Sequence, residues 1–451
     1  MEITFDNEIY NNSTFEEDIF ILDDYFKDIN NAIVYVDTQN IHILITSIFS
    51  ILKNNGTVLL TGINGFNEEV FNGESLVLLN DEIFFENKYK LRKKIKKDIS
   101  SYSMKNIWDS LDDYSNQVAF IVQTSGSTAA PKLVPITVTQ VKHKVNSHIK
   151  EYDVDYKTKE LLCFPMNSLT SLIMQILPTC IGNASLTYLG SNFSPYKIIE
   201  HLYMNYDVTA LTPTMLSVIN SLGINWGKVN MKYIAIGGEK IDFSLIEEIK
   251  STSGFRSDLY PLYGATETTS SICGKANDYN RPKRSTGKIV DYIDVKIKNK
   301  ISGKEYGEIW VRGISVITTY LDSGKCVDDE GYFNTGDIGY VDGNNYLYII
   351  GRRNNVIIAG GVNIHIEEIE EVFHKHDSVL LATVEKVESE IKGEEFIVKV
   401  VIKKDKKFNK MSLYKHCKDH LNIKKLPIDI IEDKEVDLIS MGKRRRSHAS
   451  K

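Results

Sequence analysis

The chain has 451 residues, of which 42% are hydrophobic and 25% charged, a composition typical of globular proteins. This length exceeds that of one compact core and predicts two or three domains. A net charge of -6 disfavours a nucleic-acid-binding protein, which would present a basic face. The five cysteines are scattered and form no Cys-x-x-Cys pair, so we expect a reducing, cytoplasmic location without a disulfide framework or a zinc site.

The N-terminal end and the longest apolar run predict no targeting segment and no membrane span. The first residues are acidic where a secretory signal would be basic, and Ile41 to Leu52 is too short to cross a bilayer. Apolar residues in this run have helical spacing. We expect the helix to end at Asn54-Asn55-Gly56 and a parallel strand to follow over residues 57–60.

Units of strand, loop and helix recur along the first two thirds of the chain. This alternation predicts an α/β fold in which helices cover mostly parallel sheets. Ligands in such folds bind at the carboxyl ends of the strands. Candidate site residues are therefore sought directly after strand-like runs.

One such run, Val118 to Val122, leads into a loop rich in hydroxyls. The loop reads Thr124, Ser125, Gly126, Ser127, Thr128, Ala129, Ala130, Pro131, Lys132. Its hydroxyls, backbone N–H groups and lysine suit a polyphosphate, and the glycine lets the backbone approach oxygen atoms closely. It is not a Walker loop, and an ordinary Ser/Thr-rich turn stays open as the alternative.

Further motifs follow in a fixed order. They are Tyr263-Gly264-Ala265-Thr266-Glu267, Asn334-Thr335-Gly336-Asp337, Gly351-Arg352, Gly360-Gly361 with Glu367-Glu368-Ile369-Glu370, and Gly442-Lys443. Together with the hydroxyl-rich loop, this series resembles the adenylate-forming superfamily of acyl- and aryl-CoA synthetases, peptide-synthetase adenylation domains and luciferase. The resemblance covers nearly the whole chain and is closest to acyl-CoA synthetases. Relatives usually carry a longer segment at the N-terminal side, so a shortened N-terminus is expected.

The resemblance implies a nucleotide site and its residues. The hydroxyl-rich loop with Lys132 would hold the phosphates of ATP, Tyr263 and Gly264 would lie against adenine, and Thr266 would contact the α-phosphate. Glu267 would be the magnesium ligand, Asp337 would accept both ribose hydroxyls, and Arg352 would also contact the ribose. A helix-terminal role for Glu267 and a turn role for Asp337 are the structural alternatives.

The resemblance also implies an acyl pocket and two domains. Gly238 and Glu239, after the strand-like run 233–236, would form a wall of the acyl pocket. Residues 1–351 would form a large domain that binds ATP and the acyl group. Residues 352–451 would form a small mobile α+β domain that turns about Asn354 and carries Lys443, the lysine of the adenylation step.

The implied reaction is ATP-dependent activation of a small carboxylic acid, with transfer of the acyl group to coenzyme A. A carrier-protein phosphopantetheine is the alternative acceptor. No acid lies near the strand at 162–164 except Glu160, which we expect to precede the strand, so an acid without an α-amino group is expected. Ala129, Asn354, Asp437 and Ile439 depart from the family pattern, which leaves a non-catalytic binding relative as the alternative of another class.

Overall fold

The computed structural model describes residues 1–27, 32–60, 76–85, 102–114, 116–124, 132–192, 194–275, 277–278, 280–300, 304–359, 362–389 and 393–433. No helix in these ranges combines the length and the apolar character that a bilayer span requires. The α-helices are Asn12–Phe26, Ile41–Lys53, Met104–Ser110, Val138–Tyr152, Leu169–Ser171, Leu177–Gly182, Pro195–Leu202, Pro213–Ser221, Phe243–Lys250, Ile366–His374 and Lys410–His420.

Two sheets consist mainly of parallel strands. The first has the spatial order Asp258–Pro261, Tyr233–Ile236, Val208–Leu211, Lys159–Leu162, Ser185–Tyr188, Glu2–Phe5, Glu8–Asn11, and its last pair is antiparallel. The second has the order Leu76–Asn80, Ile33–Asp37, Thr57–Leu59, Val118–Gln123, Leu133–Thr137, and its last pair is also antiparallel. Their buried side chains join those of the intervening helices in one hydrophobic core. The predicted α/β fold with helix-covered parallel sheets is therefore confirmed.

Antiparallel structure follows the parallel sheets along the chain. A third sheet has the order Gly287–Lys288, Tyr346–Arg352, Phe333–Val341, Gly307–Gly313, Ile293–Lys298. Two short hairpins stand apart from it and pair Tyr263–Ala265 with Ser270–Cys273 and Thr319–Tyr320 with Gly324–Lys325. These antiparallel strands carry the motif residues Tyr263 to Ala265, Asn334 to Asp337 and Gly351-Arg352.

The C-terminal part forms its own sheet and its own core. The strands have the order Val362–His365, Val356–Ala359, Gly393–Ile402, Val379–Ser389, and Asp429–Glu432 pairs with Gly393–Ile402. Their apolar faces pack on the helices Ile366–His374 and Lys410–His420 in a second hydrophobic core. The predicted domain boundary after residue 351 falls at the end of the third sheet. The 3₁₀ turn Arg353–Asn355 then leads into the first strand of the C-terminal sheet.

Local sequence explains the first long helix and the strand after it. The Asn40 side chain accepts hydrogen bonds from the backbone N–H groups of His42 and Ile43, which caps the helix Ile41–Lys53. Gly56 follows the helix where a Cβ would lie 2.8 Å from the Ile51 side chain, so the chain can turn tightly there. The strand Thr57–Leu59 then pairs in parallel with two neighbours, as the sequence predicts.

The placement of Glu160 corrects the sequence prediction. This residue does not precede the strand but is the second residue of Lys159–Leu162, in register with Leu186. It is 1% exposed, and neither carboxyl oxygen has a hydrogen-bond partner among the described residues. Burial raises the pKa of Glu160 to about 8, although the neighbouring Gln175 and Thr179 side chains oppose the shift.

Glu160→Gln should remove one pH dependence of stability. The folded chain retains a proton that the unfolded chain releases between about pH 4.5 and pH 8, so the free energy of unfolding falls as the pH rises through this window. Urea denaturation at pH 5, 6.5 and 8 should show the variant gaining roughly a few kcal/mol relative to wild type. Glu200→Gln, which removes an exposed carboxylate, is the control. Equal pH slopes for wild type and Glu160→Gln would contradict the prediction.

Candidate nucleotide and acyl site

Thr124 and Lys132 close the base of the hydroxyl-rich loop. The Thr124 backbone N–H donates to the Lys132 carbonyl at 2.9 Å, and the Lys132 N–H donates to Thr124 Oγ1 at 3.0 Å. The loop therefore connects two antiparallel strands whose ends are fixed. Ser125, Gly126, Ser127, Thr128 and Ala129 lie outside the described residues, so their proposed phosphate contacts stay predictions.

Lys132 and Glu267 lie on either side of Tyr320. The Lys132 Nζ is 4.3 Å from the centre of the Tyr320 ring, and the Tyr320 hydroxyl donates to Glu267 Oε1 at 2.9 Å. Burial and the nearby Glu267 carboxylate raise the pKa of Tyr320, which keeps its hydroxyl protonated. The structure thus brings two predicted site residues together through a tyrosine that the sequence analysis missed.

Two hydrogen bonds hold Tyr320 beside the loop. The Leu321 backbone N–H donates to the Leu133 carbonyl at 3.0 Å, and the Leu133 N–H donates to Asp322 Oδ2 at 3.1 Å. Leu133 and Leu321 are separated by more than 180 residues in sequence. Because only tertiary pairing places Tyr320 next to Lys132, a motif search along the chain could not identify it.

The segment Tyr263 to Glu267 forms a tight hairpin strand followed by a short turn. Gly264 is required there, because a Cβ would lie 2.2 Å from the Ser270 carbonyl oxygen. Thr266 and Glu267 are half-buried and start the 3₁₀ turn Thr266–Thr268. The Glu267 carbonyl accepts a hydrogen bond of 2.9 Å from the Ile317 N–H, which holds the backbone at the residue that carries the carboxylate.

Tyr263, Asp337 and Arg352 meet in one hydrogen-bonded group. The Tyr263 hydroxyl donates to Asp337 Oδ2 at 2.6 Å, and Arg352 Nε donates to Asp337 Oδ1 at 3.1 Å. Asp337 is 6% exposed, and burial raises its pKa while Arg352 and Tyr263 act in the opposite direction. Three residues from separate motifs are therefore joined through the carboxylate of Asp337.

Glu308 anchors the segment before Asp337. Its Oε1 pairs with Arg353 Nη1 at 2.9 Å, while its Oε2 accepts hydrogen bonds of 3.0 Å from Asn334 Nδ2 and 3.2 Å from Trp310 Nε1. These contacts fix both the start of the strand Phe333–Val341, which carries Asn334 to Asp337, and Arg353, the residue after Arg352. Glu308 is a structural hub that sequence reasoning did not single out.

Gly238 and Glu239 follow the strand Tyr233–Ile236, as the sequence predicts. Gly238 has φ of 84°, a left-handed conformation that suits glycine. Glu239 Oε2 accepts a hydrogen bond of 3.0 Å from the Thr214 backbone N–H, at the start of the helix Pro213–Ser221. This contact stabilises the helix terminus. The predicted role of both residues in the acyl pocket stays a prediction.

A buried glutamate, Glu367, joins the C-terminal sheet to the third sheet. Its Oε1 accepts hydrogen bonds from Asn355 Nδ2 at 2.7 Å and from the Arg352 N–H at 3.5 Å. Its carbonyl accepts from Lys240 Nζ at 2.7 Å. Glu367 is 3% exposed, and its charge adds to the rise in the pKa of Asp337. The sequence analysis listed this residue within a motif and gave it no role of its own.

Of the remaining predicted residues, Asn354 is placed, whereas the glycine pair and Lys443 are not. Asn354 lies in the 3₁₀ turn Arg353–Asn355, which links the third sheet to the C-terminal sheet. Gly360 and Gly361 fall outside the described residues, as does the segment 434–451 with Lys443. Their roles stay predictions from the resemblance.

Comparison with known proteins finds one matching family model and several similar ligases. The family model described as AMP-binding enzyme matches residues 69–321, more than half of the chain. The 2-succinylbenzoate–CoA ligase of Bacillus pumilus is 30% identical over 320 residues, which cover 69% of this chain and 64% of the relative. The Bacillus licheniformis ligase of the same name is 29% identical over 330 residues, covering 70% of this chain and 66% of that protein. The matches thus span slightly less than two thirds of these relatives.

Solved structures agree over almost the entire chain. ATP-bound MatB from Rhodopseudomonas palustris matches with a TM-score of 0.81 and 16% identity, covering 97% of this chain and 92% of that one. The o-succinylbenzoate CoA synthetase of Bacillus subtilis in complex with the acyl-adenylate intermediate matches with a TM-score of 0.78 and 20% identity, covering 98% and 94%. These similarities establish the fold, including its small C-terminal domain. On the family match, the chain belongs to the AMP-binding enzyme family.

Proposed function

We propose that this protein activates a carboxylic acid as an acyl-adenylate at the expense of ATP, releases pyrophosphate and then transfers the acyl group to coenzyme A. The observation that carries the proposal is the buried Asp337 carboxylate, held between Tyr263 and Arg352. Its two oxygens can accept the two hydroxyls of a ribose, and both neighbours come from motifs that the resemblance assigns to the nucleotide. The named activity of the relatives supports the same reaction.

Charge neutralisation is the chemical problem that the remaining residues address. A substrate carboxylate must approach the α-phosphorus of ATP, and both are anionic. Lys132 brings a positive charge to the base of the phosphate loop, and Thr266 lies one residue before Glu267 with a hydroxyl for the α-phosphate. The group Lys132–Tyr320–Glu267 therefore pre-organises a cation and a carboxylate at the phosphate end of the site.

Glu267 fits the role of a magnesium ligand. Its carboxylate is half-buried and oriented by the Tyr320 hydroxyl. Mg²⁺ in nucleotide sites takes one or two protein carboxylates in addition to phosphate oxygens, so one glutamate here is sufficient. When bound, the ion would supply positive charge to the phosphates.

The junction between the third sheet and the C-terminal sheet is proposed as a hinge. A small domain of residues 352–451 would turn about Asn354, exchanging Lys443 for the Gly360-Gly361 loop between the two half-reactions. Such a rotation must break the contacts of Glu367 with Lys240 and with the Arg352 N–H, because these two residues precede Asn354 in the chain. Glu367 therefore favours the orientation of the small domain described here over the orientation proposed for the other half-reaction.

The acid is proposed to resemble the substrate named in the relatives, 2-succinylbenzoate. The direct test is pyrophosphate release by the purified chain with ATP and magnesium, across aryl, fatty, dicarboxylic and amino acids. Release with one class that accelerates with coenzyme A supports the proposal. Acceleration by a phosphopantetheinylated carrier protein but not by coenzyme A would make the carrier protein the acceptor. ATP binding without pyrophosphate release for any acid would favour a non-catalytic relative. A cytoplasmic location stays a prediction.

Asp337→Asn should weaken ATP binding by about tenfold, because an amide retains one acceptor oxygen where the ribose offers two hydroxyls. Isothermal titration with ATP and magnesium measures the change. Asp294→Asn is the matched control, since Asp294 also accepts hydrogen bonds from a tyrosine, Tyr332, and an arginine, Arg312, on the same sheet. An ATP affinity equal to that of wild type in Asp337→Asn would remove this carboxylate from the nucleotide site.

Lys443→Ala should lower adenylate formation by on the order of 100-fold or more, because the loss of a positioned charge at the reacting phosphate is costly. Transfer from a preformed acyl-adenylate to coenzyme A should stay within about threefold of wild type. Single-turnover assays of the two half-reactions measure both. Arg444→Ala tests the alternative of a basic tail without a catalytic role. Equal losses in both half-reactions, or equal effects of the two variants, would contradict the assignment.

A further inference from the structure

Tyr320 is a buried tyrosine that contacts two charged residues of the proposed phosphate site. It is 7% exposed, and its ring meets that of Phe333 edge-on with 6.5 Å between the ring centres. Lys132 Nζ lies 4.3 Å from the centre of the Tyr320 ring, and Glu267 Oε1 accepts the hydrogen bond of the Tyr320 hydroxyl. The lysine therefore contacts the ring itself, whereas the glutamate contacts its hydroxyl end.

The backbone around Tyr320 is fixed to the elements that carry these two residues. Three residues earlier, the Ile317 N–H donates to the Glu267 carbonyl at 2.9 Å. The N–H of the next residue, Leu321, donates at 3.0 Å to the carbonyl of Leu133, which directly follows the lysine. A shift of Tyr320 would break these hydrogen bonds, so its ring is a fixed reference point for both charged side chains.

Lys132 and Glu267 carry opposite charges but do not form an ion pair. Their charged atoms are more than 4.0 Å apart, and neither side chain has an ion-pair partner in the part of the chain that the structure describes. Opposite charges in one site attract each other. Tyr320 offers the lysine its ring and the glutamate its hydroxyl, and these separate contacts hold the two charges apart. Lys132 is exposed, so its ammonium group is open to a ligand.

A second tyrosine, Tyr332, has the same kind of neighbours in a different electrostatic setting. Lys296 Nζ lies 4.4 Å from the centre of its ring, and its hydroxyl donates to Asp294. There the lysine also pairs with Glu330 at 3.0 Å, and the aspartate pairs with Arg312 at 3.1 Å. Each charge beside Tyr332 is thus balanced by a further residue of the chain. The two charges at the phosphate site are left for a ligand that carries both signs, as a magnesium nucleotide does.

We infer that Tyr320 is a positioning residue that keeps Lys132 and Glu267 from neutralising each other before the nucleotide binds. Its ring holds the lysine for the phosphates, and its hydroxyl orients the carboxylate for the metal ion. The role rests on the proposed function, in which Lys132 contacts phosphate and Glu267 binds magnesium. Burial and the Glu267 carboxylate raise the pKa of Tyr320, so its hydroxyl stays a hydrogen-bond donor.

Tyr320→Phe separates the two contacts, because phenylalanine retains the ring and lacks the hydroxyl. Isothermal titration measures ATP affinity in EDTA and across a series of magnesium concentrations. The ATP dissociation constant in EDTA should stay within about twofold of wild type, because the ring still contacts Lys132. The magnesium concentration that gives half of the increase in ATP affinity should rise about tenfold, because the metal ligand has lost the partner that orients it.

Tyr332→Phe is the matched control, since it removes a hydroxyl that also donates to a carboxylate beside a lysine. Both the ATP dissociation constant in EDTA and the magnesium requirement should stay as in wild type. A wild-type magnesium requirement in Tyr320→Phe, or an equal rise in Tyr320→Phe and Tyr332→Phe, would overturn the inference.

Tyr320→Ala removes the ring as well, so Lys132 and Glu267 can pair with each other. ATP affinity in EDTA should fall about tenfold in this variant. Glu267→Gln in the same background should recover about threefold or more of the loss, because the lysine then has no carboxylate to pair with. Tyr320→Leu replaces the alanine variant if that variant does not fold. An affinity that Glu267→Gln leaves unrestored would also overturn the inference.

Failure of this role and failure of the proposed function give different results. A wild type that binds ATP with magnesium and releases pyrophosphate, alongside Tyr320 variants that behave as wild type, would overturn only the role of Tyr320. A wild type whose ATP affinity does not respond to magnesium, and which releases no pyrophosphate with any acid, would overturn the proposed function and the role of Tyr320 together.

Discussion

The buried carboxylate of Asp337 is the interaction on which the site depends. It receives one hydrogen bond from Tyr263, in a hairpin after the parallel sheet, and one from Arg352, the last residue of the third sheet. A carboxylate that is 6% exposed is stable in its charged form only with such partners. The parallel part of the fold and the antiparallel part are therefore joined at the point where the nucleotide is proposed to bind.

The same carboxylate links the site to the hinge. Glu367 lies close enough to raise the pKa of Asp337, and it also holds Asn355 and the backbone of Arg352. The carboxylates of Asp337 and Glu367 repel each other. Arg352, which donates hydrogen bonds to both, opposes the resulting rise in the pKa of Asp337. A ligand that occupies Asp337 would change this balance, so nucleotide binding and the orientation of the C-terminal sheet are energetically coupled in the proposed mechanism.

Local patterns were enough to predict much of the fold. The spacing of apolar residues and the Asn54-Asn55-Gly56 stop predict the helix Ile41–Lys53, and the strand Tyr233–Ile236 leads directly into Gly237-Gly238-Glu239 as expected. Both follow from interactions between residues close in sequence. Glu160 was misplaced because a glutamate in a short run normally indicates exposure, whereas here tertiary packing buries it in a central strand.

The site was predicted less completely, for a physical reason. Tyr263, Asp337 and Arg352 belong to motifs and could be named from the sequence as candidates, whereas Tyr320 and Glu308 have no motif of their own. Their positions beside the motif residues arise from contacts such as that of Tyr320 with Glu267, which are 53 residues apart in sequence. Only the folded arrangement of hairpins and sheets creates those contacts, so no pattern along one sequence could have found them.

A crystal structure with a non-hydrolysable acyl-adenylate mimic tests the central claim most directly. The account predicts that both ribose hydroxyls donate to the Asp337 carboxylate and that the Tyr263 ring lies against the adenine. A mimic bound with its ribose away from Asp337, with the Tyr263 and Arg352 contacts to that carboxylate unchanged, would contradict it.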